Sequence, residues 1–152
     1  MNVLFLDIDG VLNHEHLYRA RKASGEQWPR HEQWIDRACV VISSSWRCYL
    51  GGHEPVAAVL RECGFAGDVI DATPDLSGRP EGALIHRSVD RWDEIEAWLL
   101  AHPEVARYVI LDDCAMNAPH DVFVRTDIED GLTDADVDRA VRVLSDDWQA
   151  LS

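Results

Sequence analysis

The chain has 152 residues, of which 47% are hydrophobic and 28% are charged, and these proportions are typical of a globular domain and exclude a generally disordered chain. Its 14 Lys and Arg residues are outnumbered by 28 Asp and Glu residues, and the net charge of −14 argues against non-specific binding to nucleic acid, which uses cations against phosphates. No apolar run approaches the roughly 20 residues that cross a bilayer, and no basic stretch precedes the first apolar run. We therefore expect one cytoplasmic domain over residues 1–152, with no membrane segment and with its four cysteines as free thiols.

The predicted elements alternate between short apolar runs and amphipathic segments. Continuous apolar runs closed by turn residues predict buried strands, and apolar residues spaced three and four apart predict helices. In chain order we predict strands at 3–6 and 39–42, a helix at 54–62, a strand at 68–70, a helix at 90–101, strands at 108–111 and 121–124, and a helix at 133–144. Asp90 and Thr133 are the predicted N-caps of the last two helices.

Buried strands separated by helices predict an α/β fold, with a mostly parallel sheet covered on both faces. Polar residues follow three of these strands: Asp7 and Asp9, the serines at 43–45, and Asp112 with Asp113. The carboxyl ends of parallel strands meet at one edge of the sheet, where ligands of such folds bind. The sequence therefore predicts a single site that collects these three groups.

Two acids on alternate residues, Asp7 and Asp9, are expected to point to the same side of the chain. Buried carboxylates repel one another, and the usual remedy is a proton or a cation between them. Mg²⁺ prefers such hard oxygen ligands, so the acidic composition of this edge favours a magnesium site.

Residues 7–12, with the sequence DIDGVL after an apolar strand, resemble the first motif of the haloacid dehalogenase (HAD) superfamily. The resemblance implies a HAD-like, Rossmann-like fold. It also implies that Asp7 is the nucleophile that becomes an aspartyl-phosphate and that Asp9 is the general acid/base. A carboxylate can attack phosphorus once a cation has neutralised the phosphate, and a second acid can protonate the leaving oxygen and then activate water.

Three further segments resemble the remaining motifs in the right order. The serine after strand 39–42 that would hydrogen-bond the phosphate is Ser44, with Ser43 as the alternative. The cation near a helix start is Arg91, with Arg87 as the competitor, although the family more often has Lys here. Asp112 and Asp113 resemble the acidic pair that holds the metal. The resemblance implies a Mg²⁺ site formed by Asp7, Asp9, Asp112 and Asp113, completed by the backbone carbonyl of Ile8.

A narrower resemblance is to the HAD domains of Swiss-army-knife RNA repair proteins. It rests on Ser-Ser-Trp-Arg at 44–47, on Arg-Trp-Asp-Glu-Ile at 91–95 and on Gly-Leu-Thr at 131–133. The segments between the motifs are too short for a large cap domain, so an open site is expected. The predicted function is a phosphomonoesterase acting on a phosphorylated substrate, either a nucleotide or a nucleic-acid end. The alternatives are a small-metabolite phosphatase and a catalytically weak binding or regulatory module.

The two residues that follow the serines, at positions 46 and 47, could each contact a ligand or serve the fold, and the sequence does not decide between these roles. Trp46 would stack on a base or pack against the protein, and Arg47 would contact a second phosphate, contact a leaving group or serve the fold.

Overall fold

The computed structural model describes residues 1–13, 38–78 and 89–145. Five parallel strands form one sheet in the order β3-β2-β1-β4-β5. The strands are β1 (Asn2–Leu6), β2 (Cys39–Ile42), β3 (Val69–Ala72), β4 (Arg107–Asp112) and β5 (Phe123–Arg125). Four helices lie within this part of the chain: α1 (Trp46–Leu50), α2 (His53–Glu62), α3 (Arg91–Ala101) and α4 (Asp134–Leu144). The predicted α/β fold with a parallel sheet is confirmed.

The central strand β1 contributes to the core on both faces of the sheet. Its alternate residues Leu4 and Leu6 pack in the cluster that contains the apolar residues of α2 and α4. Phe5 points to the opposite face, where its ring meets that of Trp98 from α3 edge to face, with 5.5 Å between ring centroids. Helices therefore cover both faces, as the unbroken apolar run of β1 predicts.

The predicted N-caps of the two longest helices are confirmed. The Asp90 side chain accepts a hydrogen bond from the Trp92 backbone N–H at 2.9 Å. Thr133 and Asp136 form a reciprocal capping box at the start of α4. These caps satisfy backbone donors that would otherwise lack partners, and the cap at Asp90 sets where α3 begins, directly in front of Arg91.

Apart from shifts of one residue at element ends, the structure departs from the prediction at three places. Strand β3 continues to Ala72 although residue 71 is acidic, because the Asp71 carboxylate accepts a hydrogen bond from the Trp98 indole N–H at 2.7 Å. Strand β5 begins at Phe123 rather than at 121, since the Val122 backbone N–H bonds to Pro119 in a turn. Helix α1 was not predicted, because its five residues are too few to show a period.

Within residues 1–13, 38–78 and 89–145 there is no large cap domain over the carboxyl edge of the sheet, as expected. None of the helices described is long and apolar enough to cross a membrane. The free cysteines are Cys39, Cys48, Cys63 and Cys114.

Candidate functional site

The loop after β1 carries Asp7 into the interior and Asp9 to the surface. Asp7 is 4% exposed, and its backbone N–H still pairs with the carbonyl of Leu111 at 3.0 Å, so it extends the line of β1 beside β4. Asp9 is exposed. The two carboxylates therefore do not share one environment: Asp7 is the buried member and Asp9 the accessible one.

Ser44, rather than Ser43, is the serine that meets Asp7. Both are fully buried at the end of β2, but the Ser44 hydroxyl hydrogen-bonds the Asp7 carboxylate, whereas the Ser43 hydroxyl has no hydrogen-bond partner among the residues that the structure describes. Burial raises the pKa of Asp7 above its ordinary value, and the Arg91 charge and the Ser44 hydroxyl oppose that rise without cancelling it.

Arg91 is the first residue of α3, and its guanidinium joins two acids from different strands. Its Nη1 lies 3.0 Å from Asp7 Oδ2 and 2.6 Å from Asp112 Oδ2. Burial alone would lower the pKa of Arg91, but the two carboxylates outweigh that effect and raise the pKa above its usual value. The competitor, Arg87, lies outside the described residues.

Asp112 and Asp113 close strand β4. Asp112 is fully buried; its Oδ1 accepts the Cys114 backbone N–H at 2.9 Å while its Oδ2 faces Arg91. Burial, and then the Asp7 charge, raise the pKa of Asp112 to about 6. The elevated pKa indicates that one guanidinium does not fully compensate the buried negative charge here.

These side chains fit a divalent cation that prefers oxygen ligands. Asp112, Asp113 and Cys114 each place one ligand atom so that all three lie within 4.8 Å of one another, and Asp7 shares the Arg91 nitrogen with Asp112. Burial and the neighbouring carboxylates raise the pKa of the Cys114 thiol to about 11, and a soft sulfur ligand is a poor match for a hard cation such as Mg²⁺. The donor set that remains is Asp7, Asp112 and Asp113, whose hard oxygens suit Mg²⁺.

Two of the expected ligands do not join this cluster. The Asp9 carboxylate accepts hydrogen bonds on both oxygens, from Trp46 Nε1 and from Asn13 Nδ2, each at 2.8 Å. The Ile8 carbonyl accepts the backbone N–H groups of three residues in the same turn, Val11, Leu12 and Asn13. Protein donors thus engage these oxygens in this structure, but a carboxylate that accepts two hydrogen bonds keeps further lone pairs, and the role of Asp9 and the Ile8 carbonyl as metal ligands stays a prediction.

Arg47 does not face a substrate. Its guanidinium is buried and donates to the carbonyls of Thr73, Ser43, Ser44 and Pro74, and it forms an ion pair with Glu94. A guanidinium offers five N–H donors and these partners engage all three nitrogens, so none is left for a phosphate. Of the alternatives left open for Arg47, the structure supports the structural role.

The sequence analysis missed Glu94 and Cys114. Glu94 lies one turn after Arg91 and next to the buried Ile95, and an acid on the apolar face of an amphipathic helix is the signal that could have revealed a buried partner. Cys114 directly follows the acidic pair, but nothing in its spacing distinguishes it from an ordinary surface thiol.

A family model described as "HAD domain in Swiss Army Knife RNA repair proteins" matches residues 3–137. No curated protein and no solved structure matches the chain with significance. The matched range contains every segment that meets at this edge of the sheet, from Asp7 to Asp113.

Proposed function

The chain belongs to the family of HAD domains found in Swiss Army Knife RNA repair proteins, a branch of the HAD-type hydrolases, and from that premise we propose that it is a Mg²⁺-dependent phosphomonoesterase. The observation that carries the proposal is the shared guanidinium of Arg91. It contacts Asp7 and Asp112 at once, while the Ser44 hydroxyl reaches Asp7 from the next strand. Groups suited to attack, to bind phosphate and to hold a cation thus meet around one carboxylate.

Asp7 is the proposed nucleophile. Its carboxylate oxygen attacks phosphorus, the bond from phosphorus to the ester oxygen breaks, and an aspartyl-phosphate forms on Asp7. Asp9 is the proposed general acid/base: it gives a proton to the departing ester oxygen and later takes one from the water that hydrolyses the aspartyl-phosphate. Asp9 is exposed and Asp7 is buried, which suits an acid that meets the leaving group and a nucleophile that meets only the phosphate.

Ser44 and Arg91 are the proposed phosphate-binding groups. The Ser44 hydroxyl hydrogen-bonds Asp7 and the Arg91 guanidinium forms an ion pair with it, so both lie close to where a phosphoryl group on Asp7 would be. Arg91 is also the cation that balances the added negative charge of the transition state.

Asp7, Asp112 and Asp113 would hold Mg²⁺. When bound, the cation screens the phosphate charge and so permits an anionic nucleophile to approach it. The chain's own contribution is to keep Asp112 buried and fixed by Arg91 and the Cys114 N–H, so that its oxygens stay oriented.

The proposed substrate is a phosphate on a nucleotide or at a nucleic-acid end. The family description supports it, and so does the lack of a large cap within the part of the chain that the structure describes, because an open edge admits a large leaving group. The net charge of −14 opposes prolonged contact with a long duplex, so recognition is expected to concentrate on the terminal phosphate.

The test is phosphate release from a panel of nucleotides, small-metabolite phosphates and oligonucleotides phosphorylated at the 3′ or 5′ end, with Mg²⁺ or EDTA. We expect Mg²⁺-dependent release that falls by more than about 10³-fold in Asp7→Asn, because the amide is a poor nucleophile. Asp138→Asn, an exposed acid on α4, is the matched control and should retain full activity.

The outcomes separate the candidates. Preference for metabolite phosphates over nucleotides and oligonucleotides would favour the small-metabolite phosphatase. Release that persists in Asp7→Asn would refute the mechanism, and Mg²⁺ binding without turnover of any substrate would identify a binding or regulatory module.

A further inference from the structure

The Asp9 carboxylate is held at both oxygens although it lies at the surface. Trp46 Nε1 donates to Oδ2 and Asn13 Nδ2 donates to Oδ1, both at 2.8 Å. Exposed carboxylates ordinarily sample several rotamers, and each hydrogen bond that fixes one has to offset the lost side-chain entropy. Two donors on an exposed acid therefore point to a requirement on its orientation.

The two donors come from different parts of the chain: one is local to Asp9 and the other is distant in sequence. Asn13 belongs to the same turn as Asp9, and its backbone carbonyl accepts the Gly10 N–H. Trp46 comes from a different segment, 37 positions along the chain. Its ring packs against the main core cluster, and its backbone N–H reaches the Ser44 hydroxyl at 3.4 Å. The indole thus ties Asp9 to the loop whose serine contacts Asp7.

We propose that Trp46 is a positioning residue that orients the Asp9 carboxylate for proton transfer to the leaving oxygen. This inference rests on the proposed function. An indole nitrogen donates but cannot accept, so Trp46 engages Oδ2 as an acceptor and thereby fixes the direction in which Oδ1 faces. That orientation matters because proton transfer requires the carboxyl group within hydrogen-bond distance of the leaving oxygen.

The experiment compares two classes of leaving group. Nucleoside monophosphates release a strongly basic alkoxide that needs a proton, whereas p-nitrophenyl phosphate releases a weakly basic phenolate that does not. The value of kcat/KM reports the steps up to the first irreversible one, here the transfer of the phosphoryl group to Asp7. Trp46→Phe keeps an aromatic ring and removes the N–H. We expect it to lower kcat/KM for the nucleotide at least about tenfold more than for p-nitrophenyl phosphate.

Trp98→Phe is the matched control. Trp98 also donates its indole N–H to a carboxylate, that of Asp71, at 2.7 Å, but that pair lies between α3 and β3 and contacts none of the proposed catalytic residues. Its replacement should leave the ratio of the two kcat/KM values unchanged. An equal loss on both substrates in folded Trp46→Phe, or no loss on either, would overturn the inference.

A second pair of measurements keeps the test decisive. If Trp46 acts through Asp9, Trp46→Phe should have no further effect on the ratio in an Asp9→Asn background, and an additional effect there would contradict the inference. If Trp46→Phe does not fold, benzothienylalanine at position 46 replaces the N–H with sulfur at nearly the same shape, and the same change in ratio is expected. A wild-type protein without Asp7-dependent turnover would instead mean that the proposed function fails.

Discussion

At the scale of single residues, Gly10 is where the first loop meets the acidic pair. Its φ is +77°, in the left-handed region that favours glycine, and a Cβ placed there would lie 2.7 Å from both Cβ and Oδ2 of Asp113. The Gly10 carbonyl also accepts the Thr126 hydroxyl at 2.7 Å. Position 10 therefore requires glycine for two reasons: the turn has a left-handed backbone conformation, and Asp113 lies too close to leave room for a Cβ.

We predict that Gly10→Ala both destabilises the protein and displaces Asp113. The backbone conformation alone should cost about 1–2 kcal/mol, and the steric overlap with Asp113 should add to that. Thermal or urea unfolding measures the first effect, and the Mg²⁺ concentration needed for half-maximal activity measures the second.

Gly51→Ala is the control for Gly10→Ala. Gly51 has a similar φ of +84°, but no atom of the described part of the chain lies within 4 Å of a Cβ placed on it. It should show the backbone cost without a change in Mg²⁺ requirement. Equal effects of the two substitutions on both measurements would show that contact with Asp113 is unimportant.

At the scale of elements, the start of α3 is fixed from two sides, and this placement brings Arg91 to Asp7. On one side the cap residue Asp90 accepts hydrogen bonds from the backbone and side-chain amides of Asn117, at 3.1 and 2.6 Å. On the other side Glu94 pairs with Arg47, which also holds the carbonyls of Ser43 and Ser44. The loops after β2 and β4 therefore both anchor the helix that carries the cation.

Breaking the buried pair from the Arg47 side should be costly. The side chains of Arg47 and Glu94 are 6% and 10% exposed, so Arg47→Met leaves a buried carboxylate without its cation and removes the guanidinium hydrogen bonds to four carbonyls. We expect the free energy of unfolding to fall by about 3–5 kcal/mol, measured by urea denaturation.

Arg61→Met is the matched control, because Arg61 is an exposed arginine on α2, and it should cost less than about 0.5 kcal/mol. Replacing both partners, Arg47→Met with Glu94→Leu, should recover part of the loss because no unpaired charge remains. A cost for Arg47→Met no larger than that of Arg61→Met would contradict the role assigned to the pair.

At the scale of the whole molecule, negative charge dominates both the chain and the site. The net charge is −14; the buried carboxylates of Asp7 and Asp112 contact the guanidinium of Arg91, and the half-buried Asp113 lies next to Asp112. The raised pKa of Asp112, about 6, reflects burial first and the nearby Asp7 charge second. A bound divalent cation would relieve this repulsion in the folded state only, and so should stabilise it.

We predict that Mg²⁺ raises the midpoint of thermal unfolding and that EDTA reverses the rise. At a concentration one hundred times the Kd the stabilisation should reach about 2.7 kcal/mol, measured by calorimetry at constant ionic strength. Asp112→Asn should abolish the response to Mg²⁺, whereas Asp138→Asn should preserve it. An equal rise with KCl would mean that general screening, rather than a site, is responsible.

Much of the fold was predictable because burial on both faces leaves a strong local signal. The apolar runs at 3–6 and 108–111 predicted two strands of a mostly parallel sheet, and the caps Asp90 and Thr133 predicted where two helices begin. The end of strand β3 could not be predicted, because an acid such as Asp71 indicates the end of a strand unless its partner, the Trp98 indole, is known. Helix α1 was not predicted because its five residues are too few to show the helical spacing of apolar residues.

The sequence by itself determined the order of the elements, the family and the identity of the residues that gather around Asp7. Only the tertiary structure decided between Ser43 and Ser44, gave Arg47 to the fold rather than to a ligand, and showed which donors hold the Asp9 carboxylate. The reason is physical. A strand or a cap depends on neighbours within a few positions, whereas the partner of a hydroxyl, a guanidinium or a carboxylate is set by segments that are distant in the chain and meet only after the sheet has formed.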